Sequence, residues 1–258
     1  MIDDGYPVAD RSLAGAVKTP WLRGWGTQDA EVSLVCLPHA GAGGSIYHRW
    51  RPQLPARIGL YAVTLPGRED RFGEPLLPTM KSVVDQLVPQ LLASVPRPVV
   101  LFGHSLGGMM AHAVARRLED VGVAVAHLMV SGCRPVSARR MAHLRDPEFI
   151  AALDDLGGIP QELIQAPELL RIFLPALRAD VRLAEEARLD PDRPVRCPVT
   201  ALGGTADPQV PWDDLLRWRG YTTGEFRAVS FDGDHFFVGT AEEDVLALVR
   251  AITDGVTG

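Results

Sequence analysis

Cysteine is scarce in this sequence. The three cysteines among its 258 residues, Cys36, Cys133 and Cys197, lie far apart, and none belongs to a C-x-x-C pair. Their odd number and their spacing argue against a disulfide framework and against a zinc site. We therefore expect a protein of a reducing compartment, by default the cytoplasm, that holds no metal.

The sequence also lacks an excess of positive charge, a membrane-length apolar run and a signal peptide. Its formal net charge is −6 at pH 7, which gives no basis for binding nucleic acid. No apolar run approaches the length of a membrane span, and the acidic residues 1–10 lack a basic start and an apolar core. We expect a chain with neither a nucleic-acid nor a membrane partner, and a monomer by default.

Short apolar runs alternate with helical patterns along most of the chain. The runs are nearly continuous in apolar residues, which is typical of parallel strands covered on both faces. Between them, apolar residues recur at helical spacing from Met80, from Leu106 and, near the C-terminus, from Val245. This alternation predicts an α/β protein with a mostly parallel central sheet and helices on both faces. The predicted strands are residues 32–37, 60–65, 99–102, 126–130, 199–202 and 226–231.

Two segments depart from this alternation. Residues 135–194, called the insertion below, are charge-rich with helical patterns and no strand signal. They are either a helical lid or extra helices packed on the core, and the pattern alone favours neither. Residues 1–31 are predicted to be a polar arm draped over the surface, with Trp21 and Trp25 in it. The core would then comprise residues 32–134 and 195–258.

A candidate nucleophile follows the third predicted strand. Residues 103–107 read G-H-S-L-G and separate that strand from the helix that begins at Leu106. The G-x-S-x-G pattern in a strand–turn–helix context is typical of the α/β-hydrolase fold, where glycines permit a sharp turn that exposes the serine. The helix N-terminus favours negative charge that develops beside the hydroxyl. The sequence therefore predicts Ser105 as a nucleophile, rather than a chance match in a glycine-rich chain.

The candidate base is the last of seven histidines. His235 lies in G-D-H-F-F directly after the last predicted strand, and it completes the chain order serine, acid, histidine. His104, inside the turn, is interpreted as a local packing partner, and His112 as a core histidine. A surface loop histidine is the other interpretation of His235.

The candidate acid must lie between Ser105 and His235, at the end of a strand. Asp207 meets this condition, because it ends the tight loop G-G-T-A-D after the strand at 199–202. The carboxylate would hold the imidazole in one tautomer and stabilise its cation. Asp213 and Asp214 follow at a predicted helix start, where capping explains them.

Small residues after the first predicted strand form a candidate oxyanion hole. Residues 38–44, called the 38–44 loop below, read P-H-A-G-A-G-G. Ala40 is the best candidate for one backbone N–H donor, and Leu106, the residue after the nucleophile, for the other. A dinucleotide site is excluded because Ile46 occupies the third glycine position of G-x-G-x-x-G. A purely structural turn is the alternative.

Taken in this order, these motifs resemble the type II thioesterases, stand-alone editing enzymes of polyketide and non-ribosomal peptide assembly lines. The resemblance covers nearly the whole chain after residue 30, whereas the N-terminal arm and the detailed insertion sequence lie outside it. The motifs that carry it are P-H-A-G-A-G at 38–43, L-P-G-R-E-D-R at 65–71, G-H-S-L-G-G at 103–108, G-G-T-A-D at 203–207 and G-D-H-F-F at 233–237.

The resemblance implies hydrolysis of acyl thioesters from the phosphopantetheine arm of acyl or peptidyl carrier proteins. It implies no bound cofactor, because the partner brings the arm. A carboxylesterase or lipase that acts on oxygen esters remains an alternative, as does a catalytically inactive binding module. An excised thioesterase that releases full-length products is disfavoured, because the chain starts at Met1 with no carrier domain before it.

Two groups of arginines are candidate docking sites for phosphate or for an acidic carrier protein. Arg68 and Arg71 could instead pair with Glu69, Asp70 or nearby acids. The second group lies near the start of the insertion, where a solvated surface is the other interpretation. It comprises Arg134, Arg139, Arg140 and Arg145.

Overall fold

A seven-stranded sheet forms the centre of the computed structural model, which describes residues 18–26, 28–136, 140–159 and 161–257. The strand order is β1-β3-β2-β4-β5-β6-β7, with β1 antiparallel to β3 and every other neighbouring pair parallel. This confirms the mostly parallel α/β sheet. The strands are β1 Leu22–Trp25, β2 Val32–Leu37, β3 Ile58–Val63, β4 Val99–His104, β5 His127–Ser131, β6 Val199–Gly204 and β7 Phe226–Phe231.

Helices cover both faces of the sheet, as predicted. One buried apolar cluster packs α1 and α2 on one face, and a second packs α8 and a 3-10 helix at Gly44–Gln53 on the other. The α-helices are α1 Met80–Ser94, α2 Leu106–Asp120, α3 Asp146–Asp154, α4 Gln161–Ile164, α5 Pro167–Glu186, α6 Trp212–Leu216, α7 Phe237–Thr240 and α8 Glu242–Thr257. Two further 3-10 segments are Glu69–Arg71 and Arg217–Tyr221.

Local sequence explains these elements well. All six residues of β2 and all six of β4 are buried, as the nearly continuous apolar runs at 32–37 and 99–102 predict. The side chain of Thr79 caps α1 by accepting a hydrogen bond from the Ser82 N–H at 3.1 Å. No helix in the described parts of the chain is long and apolar enough to cross a membrane.

The prediction of a surface arm is wrong for residues 22–25. These residues form β1, which pairs with β3. Leu22 in the strand and Trp21 just before it are only 1% and 5% exposed. The sequence L-R-G-W is too short and too polar to predict a strand, so the free edge of β3 decides its conformation. β3 itself begins at Ile58, two residues before the predicted start. Residues 1–17 lie outside the described chain.

The insertion contains α3, α4 and α5, between β5 and β6, and its described residues form no strand. These helices enclose a third apolar cluster, separate from the two that cover the sheet. The insertion is therefore a small helical layer with its own core, and its opening as a lid stays a prediction.

The order of the strands places a crevice between β2 and β4. The chain leaves β2 for β3 on one side and leaves β4 for β5 on the other. Loops that follow two such strands diverge, and ligands of α/β sheets bind at this switch point. The 38–44 loop and Ser105 stand at the two sides of this crevice.

Candidate active site

Ser105 occupies the turn between β4 and α2 in a strained backbone conformation. Its φ of 54° and ψ of −119° lie where residues other than glycine are rarely found. A Cβ on Gly103 would overlap the carbonyl group of Gly107, and one on Gly107 would overlap the carbonyl oxygen of Leu37. The glycines of the motif are therefore required by backbone packing, which holds the serine in place.

Ser105, His235 and Asp207 form one hydrogen-bonded chain. The Ser105 Oγ lies 3.1 Å from His235 Nε2, and His235 Nδ1 lies 2.8 Å from Asp207 Oδ2. The other carboxylate oxygen of Asp207 accepts the N–H groups of Gln209 at 2.7 Å and Val210 at 3.3 Å. Because the carboxylate only accepts, Nδ1 carries the proton and Nε2 is free to accept one from the serine.

Two further histidines border His235. Burial, then the charge of His235 and of His39, holds the pKa of His104 well below its ordinary value. Burial lowers the pKa of His39 as well. The His104 ring lies 5.1 Å from that of His235 and 6.1 Å from that of His39. Both neighbours therefore stay neutral at pH 7, so they place no positive charge beside a protonated His235.

His104 and His112 are packed where the sequence suggested. His104 Nδ1 lies 3.0 Å from Ser131 Oγ, and the ring fills the space where a Cβ of Gly132 would be. His112 lies against Trp218, and burial lowers its pKa from 6.5 to about 4.

Ala40 and Leu106 both line the cleft beside Ser105. Within the described part of the chain, neither residue's N–H donates to another protein group. The next residue, Gly41, has a φ of 79° and donates its own N–H to Asp180 Oδ2 at 2.8 Å. Two residues whose N–H groups have no protein acceptor thus line the cleft, one from each side of the crevice.

The cleft above Ser105 is apolar and has a volume of about 150 Å³. One wall comes from the ends of the sheet strands, and the other comes from the insertion. Gln209, which follows the acid, joins the two walls by donating from Nε2 to the Leu156 carbonyl at 2.9 Å. The apolar side chains that the insertion contributes are Met141, Leu153, Leu156, Leu177, Val181 and Ala184.

Arg68 and Arg71 are not free for docking, because both are buried at 6% and 5% exposure. Arg68 pairs with Asp180, and Arg71 pairs with Glu74 and lies over the Trp21 ring at 4.4 Å. The expected salt-bridging role of the two arginines is correct, but their partners are Asp180 and Glu74 and not Glu69 or Asp70. Sequence reasoning missed Asp180, although a lone acid within the apolar side of a helix is a signal for a buried ion pair.

The arginines near the start of the insertion, the second candidate docking group, have different environments. Arg134 pairs with Asp214 and also donates to the Gln209 carbonyl, so Asp214 is an ion-pair partner and not the expected capping residue. Arg145 pairs with Glu148. Arg140 is exposed, and Arg139 lies outside the described residues.

Comparisons with known proteins agree with this geometry. The thioesterase domain model matches residues 32–254. The linear gramicidin dehydrogenase LgrE of Brevibacillus parabrevis is 35% identical over 233 residues, 87% of this chain and 89% of that protein. The thioesterase PikA5 of Streptomyces venezuelae is 37% identical over 227 residues, 84% of this chain and 80% of that protein. The structure of the type II thioesterase BorB, from the borrelidin biosynthetic cluster, matches with a TM-score of 0.82 at 35% identity, covering 91% of this chain and 98% of that chain.

The name of LgrE is the exception among these, because it denotes a dehydrogenase. In this chain Ile46 breaks the dinucleotide pattern of the 38–44 loop, and the crevice holds a serine hydrolase arrangement. The family model, PikA5 and BorB all indicate a thioesterase. The chain belongs to the thioesterase family and is a serine hydrolase of the α/β-hydrolase fold, similar over nearly its full length to a type II thioesterase.

Proposed function

We propose that this chain is an editing thioesterase that removes acyl groups from carrier proteins in polyketide or non-ribosomal peptide assembly. The observation that carries the proposal is the Ser105–His235–Asp207 chain of hydrogen bonds, which opens on an apolar cleft. The relatives' names, with a borrelidin cluster and a gramicidin among them, support this class of pathway.

Acylation begins when Ser105 Oγ attacks the thioester carbonyl carbon while His235 Nε2 takes the hydroxyl proton. The carbonyl oxygen becomes an oxyanion that accepts hydrogen bonds from the Ala40 and Leu106 N–H groups. Asp207 stabilises the imidazolium. Collapse of this intermediate breaks the carbon–sulfur bond, and the proton on His235 passes to the departing pantetheine thiolate.

Deacylation repeats these steps with water as the nucleophile. His235 Nε2 takes a proton from the water, whose oxygen attacks the acyl-Ser105 ester carbonyl. The carbon–oxygen bond to Ser105 then breaks, and His235 returns the proton to the serine oxygen. The acyl group leaves as a free acid. These steps use only this chain's side chains and amides, and the phosphopantetheine belongs to the acyl or peptidyl carrier protein.

The lining of the cleft favours apolar acyl groups. The side chains around its cavity of about 150 Å³ are mainly apolar, which suits an alkyl chain. The insertion forms one wall, and we propose that it acts as a lid over a monomeric enzyme. Hydrogen exchange in residues 140–159 and 161–194 as slow as in the sheet would contradict the lid.

The test is deacylation of a phosphopantetheinylated carrier protein loaded with short acyl groups, followed by mass spectrometry. The unchanged protein and the Ser105→Ala variant are compared, and a matched free oxygen ester runs beside them. We expect loss of the acyl group only with Ser105 intact, and faster than hydrolysis of the ester.

The other outcomes identify the alternatives. Turnover of the ester without deacylation of the carrier protein would move the function to a general carboxylesterase with the same three residues. Failure to react with a fluorophosphonate probe would point to an inactive binding module.

A further inference from the structure

Asp180 lies where the insertion meets the 38–44 loop. It belongs to α5, is 1% exposed, and accepts three hydrogen bonds on its two carboxylate oxygens. Oδ2 accepts from Arg68 Nη1 at 2.6 Å and from the Gly41 N–H at 2.8 Å, and Oδ1 accepts from Arg68 Nη2 at 3.1 Å. One carboxylate thus holds two segments that lie far from it in sequence.

Arg68 fixes the orientation of that carboxylate. Its planar guanidinium meets both oxygens of Asp180, and Nη2 also donates to the Pro66 carbonyl at 3.1 Å. A bidentate pair of this kind restricts the rotation of both side chains. The remaining acceptor capacity of Oδ2 is therefore directed at Gly41.

The anchored amide lies directly beside the proposed oxyanion donor. The Gly41 N–H and the Ala40 carbonyl share one planar peptide group, so a hydrogen bond to this N–H limits the backbone rotation of Ala40. Leu177 packs against the loop at the same point, since a Cβ on Gly41 would stand 3.0 Å from its Cδ1. The loop cannot shift without disturbing α5.

We propose that Asp180 is a positioning residue for the oxyanion hole, oriented by Arg68 and acting on Ala40 through the Gly41 N–H. The proposal rests on the proposed function, since it assigns the geometry of one donor in that reaction. It also couples the insertion to the chemistry, because the helix that forms one wall of the acyl cleft supplies the anchor of the loop. Asp180 does not touch the substrate.

The simpler role of the ion pair is to hold α5 against the core, and two double variants separate the roles. The first double variant, called the alanine pair below, combines Arg68→Met with Asp180→Ala and removes both charges and the acceptor for Gly41. The second, called the asparagine pair, combines Arg68→Met with Asp180→Asn, which also removes both charges but keeps a carbonyl acceptor at that position. Replacing a buried ion pair as a unit avoids leaving one charge unpaired.

The measurements are kcat and KM on a short acyl thioester of N-acetylcysteamine, and inhibition by an alkyl boronic acid that forms a tetrahedral adduct with Ser105. For the alanine pair we expect kcat to fall about 10- to 100-fold and boronate binding to weaken in parallel. Its KM should stay within about threefold of the unchanged protein. The fall is smaller than for a deleted donor because Ala40 is displaced and not removed. The asparagine pair should keep kcat within about threefold.

Equal losses of kcat in both pairs, or a loss in neither, would overturn the proposal. Arg68→Lys supplies a test that does not depend on the folding of the alanine pair. It keeps the Asp180 acceptor but loses the bidentate contact that orients it, so kcat should fall only in part while KM stays within about threefold. A rise in KM with unchanged kcat in this folded variant would also overturn the proposal. Glu74→Gln is the matched control, because it breaks the neighbouring Arg71 pair without touching the loop, and its kcat should be unchanged. Absence of turnover by the unchanged protein would instead contradict the proposed function.

Discussion

The two walls of the cleft differ in what fixes their atoms. On the sheet side, Ser105 is held by backbone groups so close that a Cβ on Gly103 or Gly107 has no room. On the insertion side, apolar side chains of α3 and α5 form the wall over a separate small core. Backbone packing leaves almost no freedom to the reacting atoms, whereas an apolar side chain can be exchanged for one of similar volume at a cost below about 1.5 kcal/mol. We expect the sheet wall to carry the chemistry and the insertion wall to select the acyl group.

The largest effect should come from the acid of the sheet wall. Asp207→Asn should lower kcat about 10⁴-fold, because the amide can donate to His235 and favour the tautomer that cannot accept the serine proton. Steady-state hydrolysis of a short acyl thioester measures it. Asp254→Asn is the control, since that carboxylate pairs with Arg57 and neither residue lines the cleft. A loss below tenfold would mean that Asp207 is not the acid.

A methyl group at Gly107 tests the backbone packing of the same wall. Gly107→Ala should lower the free energy of unfolding by about 3 kcal/mol, because its Cβ overlaps the Leu37 carbonyl and forces α2 away from β2. Urea denaturation measures this change. Gly220→Ala is the matched control: no atom lies within 4 Å of its Cβ position, so we expect no loss of stability. Equal unfolding free energies for the two variants would show that close backbone packing at Gly107 does not hold this wall.

Shortening a side chain in the insertion wall should lower the stability of the protein and allow longer acyl groups to bind. Leu177→Ala removes a side chain that is 6% exposed and should cost about 2–3 kcal/mol of unfolding free energy. The added space should shift the preferred acyl chain toward longer groups, measured by kcat/KM across a chain-length series.

A second leucine on the same helix supplies the control for this change. Leu169 is 51% exposed, so Leu169→Ala should change stability by less than about 0.5 kcal/mol and leave chain-length preference as it is. If Leu177→Ala leaves the preferred acyl chain length unchanged, the insertion does not select the acyl group.

The loss of folding stability at acid pH should arise from buried histidines in the sheet region. His39, His104, His112 and His127 all have pKa values lowered mainly by burial, and all lie outside the insertion. Below pH 6.5 the unfolded chain binds protons that the folded chain does not, so acidification favours unfolding. The stability that neutral His112 contributes is complete above pH 6.5 and declines progressively toward about pH 4.

Removing one buried histidine measures this effect. His112→Phe should lower the pH dependence of unfolding free energy between pH 6.5 and 4.5 by up to about 1.4 kcal/mol per pH unit. Urea denaturation at several pH values gives the slope. His143→Gln, at an exposed position of the insertion, is the control. An unchanged slope in the His112 variant would mean that this histidine binds a proton equally in both states.

The sequence located the reacting groups more reliably than their surroundings. G-x-S-x-G lies between a buried strand and a helix, and the Asp207 and His235 motifs each follow a strand, so their convergence at one sheet edge could be expected. β1 could not, because four residues without a clear alternation take their structure from the edge of β3. The sequence does not distinguish between docking and salt-bridging roles for Arg68, whereas its burial shows the salt bridge.

By itself, the sequence determined which residues stand at the ends of parallel strands and which glycines make room for the serine. Both follow from contacts between residues near in sequence and from the geometry of a parallel sheet. Only the tertiary structure decided that Asp180 meets Arg68, 112 residues away, and Gly41, 139 residues away. A buried ion pair depends on which surfaces exclude water together, and no local pattern specifies that.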